Sequence, residues 1–455
     1  MIQTRSFFVL KTVPIYCVNE NGVDAAGIEE AHKAWAKSNG FAGQSGKLLA
    51  LPDEAGQVAG YLFGLGSAPD RSALVLGLAA AALPAGTYRL AGDYGDPTLA
   101  ALGFRLGAYG FDRYTKSKEC PTLQLPDGAD SSEIENLVAS TFIARDLVNI
   151  PANDLGPDAF EAWIVDFAKK HGIEIKTIRG DELLAQNFPM VHAVGRASDQ
   201  APRLVDFAWG DAGHPKITLV GKGVTFDTGG LNIKPGSSMA LMKKDMGGAA
   251  NVLGLANAIM TAGLKVRLRV LIPVVENSIS GNAFRPGDVL ASRKGLSVEI
   301  GNTDAEGRLI LADALALADE ESPDLIIDMA TLTGAARVAL GPDLPPVYAR
   351  NESFAKTVVD HGMTVDDPLW LMPLWGGYDK LLTSKIADVN HISTGGFAGS
   401  ITAALFLNRF VKPETEWMHL DIFAWAPEAR PGRPFGGTDQ AIRALYGALK
   451  ARYGQ

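Results

Sequence analysis

The chain is short of cysteine, of long apolar runs and of positive charge, and each shortage removes a class of protein. Two cysteines, Cys17 and Cys120, in 455 residues exclude a disulfide framework and point to a reducing compartment. The longest apolar stretch, Ala73 to Gly86, contains Pro84 and is too short to span a bilayer. The opening MIQTRSFFVLK closes its apolar run at Lys11 and lacks the length and cleavage site of a signal peptide. The expected location is therefore cytoplasmic, with no membrane partner. A net charge of −9 argues against nucleic acid as a primary partner, which would need a basic surface. What remains is the composition of a soluble globular protein, 47% hydrophobic and 20% charged. At this length one ordinary core does not suffice, so two domains are expected.

Periodicity divides the chain. Residues 1–128 alternate short apolar runs (SFFVL, KLLALP, AGYLFGLG) with helical patterns (IEEAHKAWAKSNG, LAALGFRLGAYGF), which suits a small α/β domain. Residues 129–157 read as a connecting helix and loop. Asp130 and Glu133 stand at capping-box spacing before EIENLVASTFIARDLVN, and Pro151 ends the helix. Over 158–455 the strand–helix rhythm strengthens. KITLVGKG, VRLRVLIPVV, SVEIG, DLIIDMATLTG and WMHLDIF read as strands, mostly separated by helical segments. The fold class is thus α/β, a small N-terminal domain plus a larger one with a mostly parallel central sheet flanked by helices. Such sheets gather their sites at the carboxyl ends of strands.

The polar clusters fall at those ends. Lys222 and Asp227 follow KITLV, Asp245 opens a glycine-rich helix in MKKDMGGAA, and Asp304 and Glu306 follow SVEIG in GNTDAEGRL. GKGVTFDTGG invites a phosphate-binding reading, which fails because no G-x-x-x-x-G-K-[ST] occurs. Taken singly, each acid is explained as a loop or capping residue, although Asn302 and Thr303 could already cap the helix that begins near Gly307 or Arg308. Taken together, Asp227, Asp245, Asp304 and Glu306 would repel one another if buried. Two divalent cations would balance them. A set of oxygens plus at most one amine, without histidine or cysteine, suits Mn, Mg or Zn. Two such ions about 3.5–4 Å apart bridge a water and lower its pKa. For Lys222 to ligate, its reference pKa of ~10.4 must fall by several units.

NTDAEGRL, GKGVTFDTGG with its later KP, and MKKDMGGAA resemble the motifs of the leucyl (cytosol) aminopeptidase family of dinuclear metallopeptidases, over roughly residues 145 to 425. The resemblance implies that residues 158–455 are the catalytic domain. It also implies that Lys222, Asp227, Asp245 and Glu306 hold one metal, and Asp227, Asp304 and Glu306 the other, Mn or Zn with Mg possible. Lys234 would donate to the scissile carbonyl. Arg308 would hold a bicarbonate as general base, and a guanidinium beside helix-start N–H groups does suit an anion. Met242, Thr331 and Gly334 would line the pocket for the first side chain, and the backbone of Leu332 would hold the substrate. The implied reaction removes N-terminal residues from peptides with a free amine, by attack of a dimetal-bound hydroxide. The implied assembly is a homo-hexamer.

Two positions depart from the family pattern. Thr228 stands where serine is usual. HLDIFAWAPEARPGRP differs from the usual DIAGTAW-like run in a segment that would border the pocket and neighbouring subunits. Lys243 and Lys244 are expected to be solvated or to stand behind the ligands, His391 to be structural, and His192, His361 and His419 to be packing or surface residues. Competing readings are a dinuclear phosphoesterase, a metal-free relative, and a nucleic-acid-binding regulator on the same fold. The first does not explain Lys222, the second does not explain the complete set of acids, and the third runs against the net charge.

Overall fold

The apolar runs of the first 130 residues assemble into one sheet in a computed structural model that describes residues 12–69, 71–117 and 119–454. Strands β1 (Val13–Asn19), β2 (Leu48–Pro52), β3 (Val58–Gly66), β4 (Thr87–Gly92) and β5 (Thr122–Leu123) lie in the order β2-β3-β1-β4-β5. Among the described residues only the β2–β3 pair of this sheet is antiparallel. Helices Glu30–Ser38, Leu76–Ala82 and Pro97–Gly107 accompany the sheet, and two clusters, one around Ile15, Phe63 and Phe104 and one around Val18, Phe41 and Leu62, form its core. KLLALP and AGYLFGLG are strands as read. SFFVL lies outside the described residues. The central strand β1 escapes a pattern search because Pro14 interrupts it, and proline demotes a run to an edge strand. Here Pro14 is the second residue of the strand, where the lost N–H matters least.

By contacts the chain forms two units, residues up to Val138 with Glu428–Phe435, and Ala139–Pro427 with Gly436 onward. The division falls within helix Ser131–Asn149, which Asp130 caps through its Oδ1, 3.0 Å from the Glu133 N–H.

The second unit is built on a nine-stranded sheet. Its strands are β6 (Ile175–Arg179), β7 (Arg203–Trp209), β8 (Lys216–Gly221), β9 (Gly223–Asp227), β10 (Arg267–Asn277), and, after a small three-stranded sheet made of β11 (Val289–Ala291), β12 (Ser297–Glu299) and β16 (Val389–Asn390), β13 (Leu325–Ala330), β14 (Pro346–Ala349), β15 (Trp370–Leu371) and β17 (Trp417–Asp421). The order is β15-β14-β17-β13-β8-β10-β7-β6, with β9 continuing the pairing on β10. The middle strands β17, β13, β8 and β10 run parallel, whereas β14 and β7 join antiparallel on either side. The sheet is therefore parallel at its centre and mixed at its margins. One reading changes: SVEIG pairs in the small sheet and not in the central one. Three residues are too few for periodicity to tell the two apart.

Helices cover the central sheet. Gly247–Thr261 is buried along nearly its whole length, which explains why its sequence is apolar all round rather than striped. Its start lies tight on the sheet. A Cβ at Gly248 would fall 2.2 Å from the Met329 carbonyl oxygen, and one at Gly221 would fall 2.6 Å from Ala249 Cα. Glycine at these positions lets the helix start approach the ends of β8 and β13. Among the described residues no helix is long and apolar enough to cross a membrane.

Candidate metal centre and substrate cavity

The four central parallel strands deliver their last residues to one edge. Lys222 stands in the one-residue break between β8 and β9, Asp227 ends β9, Asn277 ends β10, Thr331 follows β13, and Asp421 ends β17. Asp245 arrives on a single tight turn, Met242–Met246, just before the buried helix. Asp304 and Glu306 arrive on the loop leading into helix Gly307–Glu320. That helix starts at Gly307 as read, but Asn302 and Thr303 do not cap it. Asn302 Oδ1 accepts from the Asp304 N–H at 2.8 Å, and Thr303 Oγ1 donates to the Gly229 carbonyl at 2.6 Å and accepts from the Asn232 N–H at 2.8 Å. Thr303 ties the acidic loop to the glycine turn after Asp227, and Asn302 braces the loop from within. Gly229 and Gly230 in that turn have φ of +86° and +62°, the left-handed region that favours glycine.

Carboxyl oxygens of Asp227, Asp245 and Glu306 lie within 4.8 Å of one another, all buried. Asp304 is half-buried beside them and joins through Lys234, whose Nζ is 2.9 Å from Asp227 Oδ2 and 2.5 Å from Asp304 Oδ1. Lys222 Nζ is 2.7 Å from Asp245 Oδ2 and 3.0 Å from Glu306 Oε1, and donates to the Thr331 carbonyl at 2.9 Å. Burial, reinforced by the neighbouring Asp245, raises Asp227 above the usual carboxylate range, and burial likewise raises Asp245 and Asp304. Burial works against both ammonium charges. The acids outweigh it, Asp245, Glu306 and Asp227 at Lys222, and Asp227 and Asp304 at Lys234, so that both lysines are held protonated. Lysine charge alone does not complete the cluster. Asp245 Oδ2 and Glu306 Oε1 share the one Lys222 ammonium and Asp227 and Asp304 share that of Lys234, so two positive charges face four acids. Buried carboxylates in excess of their countercharges are costly, and a hard divalent cation is the partner they fit.

Several supporting residues were not singled out from the sequence. Asn277 Nδ2 donates to Asp227 Oδ1 at 2.8 Å and to the Thr303 carbonyl at 3.0 Å, fixing the carboxylate against the acidic loop. Asp421 accepts from the backbone N–H groups of Leu332 and Thr333 at 3.0 and 3.1 Å and from Thr333 Oγ1 at 2.6 Å. It thereby sets the loop that carries Thr331 to Gly334. A shared signal existed: each is a polar residue closing a buried strand of the parallel sheet.

A cavity of about 420 Å³ opens on the cluster, within the size range of small-ligand sites. Its walls include Lys222, Asp227, Lys234, Asp245 and Asp304, together with Met242, Thr331, Leu332 and Gly334, so nine of the eleven residues singled out from sequence share one space. Glu306 lies behind Lys222. Arg308 is buried and turned elsewhere, its Nη1 donating to the His391 carbonyl at 2.7 Å while its Nε has no hydrogen-bond partner among the described residues. Burial brings the Arg308 guanidinium down to about 10. His391 is structural, as expected. Its Nδ1 accepts from the Gly301 N–H at 3.2 Å and its Nε2 faces the Asn302 carbonyl at 2.9 Å, so the ring braces the acidic loop. Burial, with Arg308 beside it, pushes His391 down to about 3 and keeps it neutral.

The adjacent lysines diverge from expectation. Lys243 is half-buried and donates to the Asn149 carbonyl at 2.6 Å. Lys244 is not solvated: it is only 2% exposed, lines the cavity, and places Nζ 4.7 Å from the ring centroid of Phe423. Burial brings its ammonium down to about 7. A patterned sequence cannot reveal this, because the tight turn at Met242–Met246 breaks the helical phase that would have sorted Lys243 from Lys244.

Comparison with known proteins bears on this arrangement. The model of the cytosol aminopeptidase family catalytic domain matches residues 142–446, and that of the M17 aminopeptidase N-terminal domain matches residues 13–126. A probable cytosol aminopeptidase of Chlorobium limicola is 38% identical over 371 residues, covering 76% of this chain and 74% of the relative. One from Corynebacterium glutamicum is 39% identical over 383 residues, covering 79% and 76%. The crystal structure of cytosol aminopeptidase from Coxiella burnetii superposes with a TM-score of 0.92 at 43% identity, covering 97% of this chain and 98% of that one. The bottromycin maturation enzyme BotP, in complex with Mn, superposes with a TM-score of 0.88 at 34% identity, covering 97% and 100%.

Proposed function

This chain belongs to the cytosol aminopeptidase family of metal-dependent hydrolases, and from that premise we propose that its acidic cluster holds two divalent cations and removes the first residue of peptides. The observation that carries the reading is the buried cluster of Asp227, Asp245 and Glu306, whose carboxyl oxygens lie within 4.8 Å of one another at the edge of the cavity, with Asp304 beside them. Asp227, Asp245 and Glu306 would hold one ion, and Lys222 would join them on giving up the proton that these acids hold on it in the absence of a cation. Asp227, Glu306 and Asp304, the last through side chain and carbonyl, would hold the other. Manganese has a precedent in BotP, and zinc or magnesium also suits the oxygen-rich set. Two such ions supply Lewis acidity at the scissile carbonyl and lower the pKa of a coordinated water.

The remaining roles belong to this chain's side chains. Asp245 receives the substrate's free α-amine, which restricts the enzyme to unblocked N-termini. Lys234, held protonated between Asp227 and Asp304, donates to the carbonyl oxygen as negative charge develops there, a contribution of about 2.7–4 kcal/mol for one oxyanion donor. Leu332 offers its backbone to the substrate, and Met242, Thr331 and Gly334 line the space for the first side chain. Arg308, with an unpartnered Nε and the start of helix Gly307–Glu320 beside it, would hold a bicarbonate, which would supply a general base. We further propose that the chain assembles as a homo-hexamer, as the resemblance implies, and works in the cytoplasm, as the name cytosol aminopeptidase of its relatives suggests.

The test is titration of metal-stripped protein with Mn, Zn or Mg against aminoacyl anilides, with metal content read by mass spectrometry. Turnover should rise as the second equivalent binds. Full turnover without metal, or no more than one ion bound at saturation, overturns the two-ion reading. Sedimentation at the mass of one chain overturns the hexamer.

A further inference from the structure

The cavity contains one strong donor that the reaction does not use. Lys244 Nζ stands over the face of Phe423 at 4.7 Å, and among the described residues no hydrogen bond or ion pair reaches it. The side chain is 2% exposed and forms part of the cavity wall. The neighbouring cation is already matched: Arg337, 5.3 Å from the same ring, has Nη1 3.2 Å from Asp421 Oδ1. Asp421 is itself spent on Arg337 and on the loop at Leu332 and Thr333. Lys244 is therefore a donor on the cavity wall that no acceptor of the chain meets in a hydrogen bond among the described residues. The cavity also leaves room at Gly334, where a Cβ would meet nothing within 4 Å.

We propose that Lys244 and Phe423 set the specificity of the first-residue pocket, and that the preferred first residue is acidic. This rests on the aminopeptidase reading above and deepens it. An alkyl side chain would cover Lys244 and leave its N–H groups unmet, a costly arrangement for a buried donor. A carboxylate would accept a charge-assisted hydrogen bond from Nζ, while the methylene stem of a glutamyl or aspartyl residue lies against Phe423. Phe423 falls in the HLDIFAWAP segment, where this chain departs from the family pattern. Lys244 is adjacent to Asp245, so the amine site and the side-chain site share one short turn.

The experiment measures kcat/KM of the full-length, metal-loaded enzyme for Glu-, Asp- and Leu-anilides, in wild type and in Lys244→Met and Lys244→Arg. The better acidic anilide should exceed the leucyl one in wild type. Lys244→Met should lower the acidic-to-leucyl ratio at least tenfold, mainly through KM, and Lys244→Arg should keep the acidic substrate ahead. A wild-type ratio below one overturns the proposal, and so does a ratio that Lys244→Met leaves within threefold. The wild-type ratio decides alone if Lys244→Met does not fold. Leucyl turnover with acidic anilides refused sinks this inference and leaves the aminopeptidase reading standing, whereas no turnover of any anilide sinks both.

Discussion

Gly307 has no side chain where Lys222 passes: a Cβ there would fall 2.4 Å from Lys222 Cε and 2.8 Å from its Nζ. The glycine of NTDAEGRL is thus a steric requirement of the amine that reaches Asp245 and Glu306, and not a requirement of backbone conformation, since Gly307 lies inside a helix. Gly307→Ala should push Lys222 off its partners. The expected result is at least a tenfold loss of metal affinity by calorimetry. Folding stability should fall by about 1–3 kcal/mol, the usual cost of overpacking. Unchanged affinity would show that Lys222 does not contribute to holding the ion.

Asp304 and Arg308 each lie two residues from Glu306, on opposite sides, yet they should fail in different ways. Asp304→Ala should abolish turnover and lower the metal content. Arg308→Ala should slow turnover while both ions remain bound. Removing bicarbonate from the buffer should slow the wild type and leave Arg308→Ala where it was. Metal analysis beside anilide kinetics separates these outcomes, and an Arg308→Ala protein that loses its metals first contradicts the assignment.

Divalent cations should stabilise the fold by relieving the buried acids. At free Mn one hundred times its dissociation constant the gain is about 2.7 kcal/mol per site. A chelator should lower Tm, and Mn should restore it. Asp245→Asn should be more stable than wild type without metal, because one of the mutually repelling carboxylates is gone, and should gain less from Mn. A thermal shift series in both proteins checks the two signs together.

His391 supplies a pH dependence with a definite sign. Its folded pKa of about 3 lies below the ~6.5 of an unfolded histidine. Between those values the unfolded chain binds the extra proton, so stability is present above pH ~6.5 and is lost as pH falls, by up to about 1.4 kcal/mol per pH unit. His391→Gln should be less stable at pH 7, since the brace to Gly301 and Asn302 is disturbed, but should show a shallower decline from pH 6.5 to 4.5. Parallel slopes in urea melts of the two proteins would show that His391 does not resist protonation.

Much of the site was legible in the sequence because its chemistry is local in the chain. Asp304, Glu306, Gly307 and Arg308 occupy five residues, and Lys222 with Asp227 spans six. Each group closes an apolar run, and charged residues in that position ask for partners. The strands β8, β10, β13 and β17 were readable for the same reason, being continuous apolar segments buried on both faces. Strand β1 and the membership of SVEIG were not, because a proline early in a run and a three-residue strand both defeat periodicity.

The sequence by itself determined the family and singled out the residues proposed to carry the chemistry: the motifs of acids, lysines and glycines name an oxygen-rich cluster. Tertiary structure decided which of them share a space. It paired each lysine with particular acids, turned Arg308 toward His391, set Asn277 and Asp421 behind the cluster, and brought Lys244 into the cavity over Phe423. Those choices depend on strands far apart in the chain ending at one edge of a sheet, and on a tight turn that decides where each side chain points. Neither leaves a periodic trace in the order of the residues.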